Sequence, residues 1–122
     1  MSNRVAHFEI PSEDPEANMK FFKEAFDWKF EQSGNETYWF ATTGDEQSPG
    51  INGAIMKKVD PKQQVANTIY VPDIAEAIRK IVDAGGSMVI PKKAVPYIGW
   101  LAYFTDPDGN IHGVMEEDTK AV

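Results

Sequence analysis

The chain has 122 residues, 42% of them hydrophobic, which is enough for one domain with a substantial core. Its 19 acidic and 12 basic side chains give a net charge of −7, and it has no cysteine, so the composition argues against nucleic-acid binding, disulfides and thiolate metal sites. Short apolar runs and the lack of a secretory signal pattern predict a cytoplasmic protein with no membrane partner.

The first half of the chain predicts a strand, a helix and three more strands. Residues 5–10 alternate, with His7 and Glu9 on one face and Phe8 on the other. Asp14, followed by proline, predicts an N-cap for a helix over 15–27. Three strands are then predicted, over 29–32, 37–43 and 51–59. Gly53 interrupts the third, which indicates a bulge or a close approach of two backbones.

The second half repeats this pattern. A strand over 65–71 precedes a helix that Asp73 can cap, with Glu76 placed for a capping box. Strands are then predicted over 87–90, 99–104 and 111–116, with a turn at 106–109 before the last. Two βαβββ units joined by a polar linker over 61–64 indicate an internal duplication.

Six local strings follow one another along both units: His7-Phe8-Glu9-Ile10-Pro11, Phe26-Asp27-Trp28, Gly50-Ile51-Asn52-Gly53, Asn67-Thr68-Ile69, Gly99-Trp100-Leu101-Ala102-Tyr103-Phe104 and Asp106-Pro107-Asp108-Gly109-Asn110. In their order and spacing these strings resemble the vicinal oxygen chelate superfamily, which includes glyoxalases, bleomycin-resistance proteins and dioxygenases. The resemblance implies an α+β fold in which two tandem βαβββ modules form a curved mixed sheet around a concave pocket, with the helices outside. It implies a single domain, 1–122, with module 1 at about 4–59 and module 2 at about 65–117.

Metal-dependent members of that superfamily take ligands from the first and last strands of each module. His7 matches the first-strand position of module 1, whereas Ala66 or Thr68 occupies that position in module 2. In the last strands the expected carboxylate falls on Gly113, and on Gly53 or Ala54 in module 1. Three of the four ligands are therefore missing, and we expect no metal and no other cofactor.

Three further residues in the last predicted strand and just after it, His112, Glu116 and Glu117, could form a rearranged metal site. Strand alternation argues against it, because it places His112 and Glu116 on the face opposite Gly113, while Glu117 lies beyond the predicted strand.

We expect a small organic ligand to bind in the implied pocket. The candidate binding residues are His7, Glu9, Tyr38, Phe40, Asn52, Thr68, Trp100 and Tyr103. A structural role for His7 is an equal alternative. Aromatic side chains such as Tyr38, Phe40, Trp100 and Tyr103 belong more often to the core or to an interface than to a ligand site. The alternative functions are a metal-dependent lyase, isomerase or dioxygenase of glyoxalase type, and an accessory or regulatory module. A homodimer is expected, with Trp100 or the N-terminal strand in the contact.

Overall fold

Both halves of the chain fold as the same βαβββ unit in the computed structural model, which describes residues 3–122. The first module comprises His7–Val65, and the second comprises Ala66–Val122 together with the described residues before His7. Each module has one helix and a four-stranded mixed sheet, so the predicted α+β class is confirmed.

The first module contains the strand order β2-β3-β4-β1, in which β1 runs parallel to β4 and the other neighbours are antiparallel. The elements are β1 (Arg4–Ser12), which belongs to this module from His7 onwards, α1 (Pro15–Phe26), β2 (Lys29–Gln32), β3 (Tyr38–Thr42) and β4 (Gly53–Lys57).

The second module has the order β6-β7-β8-β5, with β5 parallel to β8, and thus repeats the topology of the first. Its elements are β5 (Ala66–Tyr70), α2 (Ile74–Asp83), β6 (Ser87–Val95), β7 (Gly99–Thr105) and β8 (Ile111–Glu117). The repeated topology confirms the two tandem βαβββ modules predicted from the sequence. In the part of the chain that the structure describes, no helix is long and apolar enough to span a bilayer.

Both helices begin at the predicted aspartates. The Asp14 carboxylate accepts a hydrogen bond from the backbone N–H of Ala17, and the Asp73 carboxylate accepts one from that of Glu76, each at 3.2 Å. The predicted reciprocal half of the capping box is wrong, because the Glu76 carboxylate pairs with the Arg79 guanidinium one turn further on. A strong cation within the same helix outcompetes the backbone N–H of Asp73 for that carboxylate.

Each helix packs on one face of its own sheet. In the first module the Trp28 ring stacks on Phe22 of α1 at 4.5 Å between centroids and lies 5.7 Å from Phe8 of β1. Phe8 therefore marks the helix side of β1, as the alternation predicted. In the second module, Val71, Ile74, Ala102 and Val114 form the buried centre under α2.

Gly53 lies where two backbones approach closely. It pairs with Phe8, and a Cβ at this position would collide with the carbonyl oxygen and the ring of Phe8. Of the two predicted explanations for this glycine, the close approach is correct.

Strand β6 is longer than predicted. It was expected to end at Ile90, yet it continues through Pro91 to Val95, with shifts in its pairing to β7 on both sides of Ile90. β6 pairs only with β7 among the strands of its module, so the missing N–H of proline is tolerated at this edge.

Candidate functional site

The face of the first module's sheet that lies opposite α1 carries four of the candidate residues. His7 and Glu9 alternate with Phe8, which points to α1, and Phe40 shares a register position with Ala54 and Glu9. Because side chains alternate along a strand, Tyr38 lies on the same face as Phe40. We call this surface, defined by His7, Glu9, Tyr38 and Phe40, the helix-free face.

Three polar side chains of the helix-free face form a hydrogen-bonded chain. The Tyr38 hydroxyl donates to Oε2 of Glu9 at 3.0 Å, and Nε2 of His7 lies 3.0 Å from the same hydroxyl oxygen. Glu9 is only 5% exposed, so its carboxylate depends on such partners. The Tyr38–Glu9 bond crosses β4, where the fully buried Ala54 has a side chain small enough for the two groups to meet.

The His7 imidazole is neutral at pH 7. Burial lowers the pKa of His7 below its ordinary value, because a charged imidazolium loses hydration there, and this outweighs the nearby charge of Glu9, which raises the pKa. A neutral imidazole has one nitrogen that donates and one that accepts, which makes it able to bind a polar group in a defined direction.

Phe40 adds apolar surface beside this chain. Its ring meets that of Tyr38 edge to face, with centroids 5.4 Å apart, and it is 39% exposed. An aromatic side chain exposed to that degree can contact the apolar part of a ligand. The helix-free face thus combines fixed polar groups with an aromatic surface.

Asn52 does not join this group. Its side-chain oxygen accepts hydrogen bonds from the backbone N–H of Thr43, at 2.9 Å, and from the Thr43 hydroxyl, at 3.3 Å. These bonds fix the connection between β3 and β4. The structure therefore gives Asn52 a loop-fixing contact.

Thr68 and Tyr103 lie on the helix-free side of the second module's sheet. Both pair in register with Gly113, where a Cβ would lie 3.0 Å from the Thr68 hydroxyl oxygen and 3.4 Å from the Tyr103 ring. Thr68 is 1% exposed, and within residues 3–122 its hydroxyl has no hydrogen-bond partner.

Trp100 lies on the other side of that sheet, so it does not share a face with Tyr103. It packs against the core under α2, its indole N–H donates to Asp118 at 3.0 Å, and the Lys92 ammonium lies 4.7 Å from its ring centre. Trp100 and Tyr103 were both candidate binding residues, and the structure does not bring them together. The run 99–105 is apolar at nearly every position, so it offers no period from which to assign a face.

His112 and Glu116 point to the helix side, as alternation predicted. The Glu116 carboxylate accepts a hydrogen bond from the backbone N–H of Ile74, the first residue of α2, at 2.9 Å. His112 lies 2.9 Å from the Asp106 carboxylate and stacks on Phe104. The bond from His112, with those from Asn110, holds the pKa of Asp106 well below its usual range. Both residues serve local structure in the second module.

The amino-acid sequence matches a known protein family. The Glyoxalase/Bleomycin resistance protein/Dioxygenase superfamily model matches residues 4–112. The chain belongs to this superfamily.

Two relatives show how the superfamily domain occurs in other chains. A glyoxylase-like domain-containing protein of Didymella fabae is 26% identical, with 98% of each chain covered. CFP32 of Mycobacterium bovis, whose name assigns it to the glyoxylases, is 25% identical over 88% of this chain. The match spans only 43% of the length of CFP32.

Two solved structures share the fold. A superfamily member from Vibrio splendidus 12B01 superposes with a TM-score of 0.65 at 16% identity, over 95% of this chain and 100% of that one. Methylmalonyl-CoA epimerase from Mycobacterium tuberculosis superposes with a TM-score of 0.64 at 13% identity, over 93% of this chain and 87% of that one. These similarities support the fold.

The residues present do not fit the ligand set of metal-dependent superfamily members. Within the described part of the chain, no group of three or more His, Cys, Asp or Glu side chains is placed to hold a metal ion. His7 stands at a ligand position, but its Nε2 is hydrogen-bonded to Tyr38. Thr68 and Gly113 occupy positions where the second module would supply ligands. No chemical step through a metal follows from these residues.

The hydrogen-bonded chain itself was not found from the sequence. His7, Glu9 and Tyr38 were each candidates, but the contact between Tyr38 and Glu9 depends on the order β3-β4-β1. The alternation of side chains along β3 shows that Tyr38 and Phe40 share a face. That they share it with Glu9 follows only once the register of β3 with β4 is known.

Proposed function

We propose that this superfamily member binds a small organic molecule on the helix-free face of its first module, without a catalytic metal. The observation that carries the proposal is the hydrogen-bonded chain of His7, Tyr38 and Glu9 beside the half-exposed ring of Phe40. Ligand sites commonly combine apolar and aromatic surface with a few fixed polar groups.

The rigidity of the polar groups supports a binding role. Tyr38 is held at its hydroxyl by two strand β1 residues and at its ring by Phe40. Side chains that are already ordered lose little conformational entropy when a ligand arrives. The binding role is tested separately from the contribution that these contacts make to stability.

A ligand screen followed by nuclear magnetic resonance tests the proposal. We expect bound compounds to shift the methyl signals of Ala54 and Met56, which lie on the helix-free face by register. Phe40→Ala should weaken binding, whereas Phe26→Ala, at an exposed aromatic of α1, should leave it unchanged. Equal loss in both variants, or shifts confined to the side of α1, would contradict the proposal.

Metal content tests the second part of the proposal. Untagged protein should carry well below one equivalent of any transition metal, and a chelator should leave its melting temperature unchanged, because stable sites of this type need three or four protein ligands. A stoichiometric metal bound through His7 would instead support the runner-up function, a metal-dependent lyase, isomerase or dioxygenase of glyoxalase type.

An accessory role has one supporting observation, since the matching region of CFP32 is less than half of that protein. A superfamily domain can therefore be part of a longer chain. An accessory role would require partner domains. The ligand screen described above also tests whether an accessory module binds a small molecule.

We further propose a cytoplasmic homodimer. Of the two contacts expected, Trp100 is bonded to Asp118 and lies under Lys92, whereas Val5 in the N-terminal strand is 44% exposed. We therefore favour the N-terminal strand as the contact. Light scattering at tens of micromolar should give twice the chain mass, and a monomer mass would overturn this assignment; cell fractionation tests the location.

A further inference from the structure

We infer that His7 offers an unprotonated Nδ1 to the ligand, so that the molecule recognised supplies a hydroxyl or N–H donor at this point and is not a carboxylate or a phosphate. The inference rests on the proposed function and specifies the chemical class of its ligand. It follows from the direction of the hydrogen bonds in the chain of His7, Tyr38 and Glu9.

The direction is fixed at the carboxylate end. The single hydroxyl proton of Tyr38 is donated to Oε2 of Glu9. Towards His7 the hydroxyl oxygen can then only accept. Nε2 of His7 must therefore carry the proton that it donates to Tyr38.

The protonation state of the other ring nitrogen, Nδ1, follows from the charge of the ring. Because the imidazole of His7 is neutral at pH 7, a proton on Nε2 leaves Nδ1 with a lone pair. Within the described residues, Nδ1 of His7 makes no hydrogen bond to the protein. The nitrogen is thus an acceptor that a bound molecule can use.

The charge of Glu9 favours the same class of ligand, because its carboxylate lies near His7 on the helix-free face. On β2, Glu31 and Lys29 lie opposite Phe40 and Thr42 in register and share a side of the sheet, so their charges offset each other. An anionic group at His7 would face an acceptor nitrogen next to the Glu9 carboxylate, which is unfavourable for binding.

The tautomer is measured first, by long-range proton–nitrogen correlation at pH 7.5. The chain has two histidines, so His112→Gln leaves His7 as the only imidazole signal, and His7→Gln in an otherwise unchanged chain identifies it independently. We expect a protonated Nε2 and an unprotonated Nδ1. Tyr38→Phe removes the acceptor and should reduce the preference for this tautomer. A protonated Nδ1 in the unchanged chain would overturn the inference.

Probe binding is measured second, with phenol, anisole and benzoate. The three share a ring, but phenol has a donor, anisole has that donor methylated, and benzoate is an anion. We expect phenol to shift the Nδ1 signal and to bind about threefold to tenfold more tightly than anisole, the range of one net hydrogen bond. Benzoate should bind more weakly than phenol.

Two failures are distinguishable. If phenol and anisole bind equally at the helix-free face, or if benzoate binds most tightly, the inference is wrong while the proposed binding face stands. If none of the probes, and no compound of the ligand screen, shifts signals of the helix-free face, the proposed function fails and the inference fails with it.

Discussion

The Tyr38 hydroxyl reaches across β4 to the buried Glu9 carboxylate and donates a hydrogen bond of 3.0 Å. Tyr38→Phe removes this donor while keeping the ring. We expect the free energy of unfolding to fall by about 1.5–3 kcal/mol, the range for a hydrogen bond to a charged group. Denaturant unfolding measures it. Tyr97→Phe, at a residue 71% exposed, is the matched control and should change stability by less than about 0.5 kcal/mol.

Stability should depend on pH through His7. Its pKa in the folded chain is lowered by burial, so the unfolded chain binds more protons as the pH falls below the ordinary value of 6.5. The contribution of neutral His7 is complete above that pH and is lost as the pH falls towards the lower, folded pKa. The stability difference between the unchanged chain and His7→Gln should therefore shrink between pH 7.5 and pH 5.

Thermal unfolding across this pH range measures that difference, with His112→Gln as the control for the other histidine. A difference that stays constant, or grows on acidification, would show that the imidazole of His7 is not held neutral by the fold.

Gly53→Ala should destabilise the first module. The added Cβ would meet the carbonyl oxygen and ring of Phe8, and the backbone oxygen cannot move without disturbing the β1–β4 pairing. We expect the free energy of unfolding to fall by roughly 1–3 kcal/mol, the usual range for overpacking, with a value near the upper end. Gly44→Ala, where nothing lies within 4 Å of the new Cβ, should cost much less. Equal losses in the two variants would rule out the steric cause.

Glu116→Ala should destabilise the second module by about 1 kcal/mol, because it removes an acceptor and a negative charge from the start of α2. The neighbouring Glu117 is exposed, so Glu117→Ala is the matched control. Glu116→Gln, which keeps an acceptor oxygen, should recover part of the loss. Chemical denaturation of the three variants measures these effects, and a larger loss in Glu117→Ala would contradict the assignment.

The fold was largely predictable from the sequence because its signals are local. Asp14 and Asp73 are typical N-cap residues and correctly predict where the two helices begin. The alternation around Phe8 correctly predicts which side chains of β1 point towards α1. The extension of β6 through Pro91 was not predictable, since a proline in a strand is tolerated only when the strand lies at an edge. Edge position is a property of the whole sheet.

The candidate site was predictable as a set of residues but not as a structure. His7 and Glu9 share a face by local alternation, whereas their connection through Tyr38 requires β3, β4 and β1 in that order. The side of the sheet on which Trp100 lies could not be predicted, because the residues around it are nearly all apolar and show no alternation. Its packing against the core under α2 decides that side. Non-local pairing decides what local pattern leaves open.

The position of β8 in the second module affects the order in which the two modules can fold during translation. β5 pairs with β8, and α2 receives its Glu116 contact from the same strand, so both need a segment that is translated after β6 and β7. All strands of the first module, by contrast, have been made once Lys57 has been added. Since parallel pairs of distant segments form slowly, the β5–β8 pair of the second module forms late, at a stage when all strands of the first module have been made.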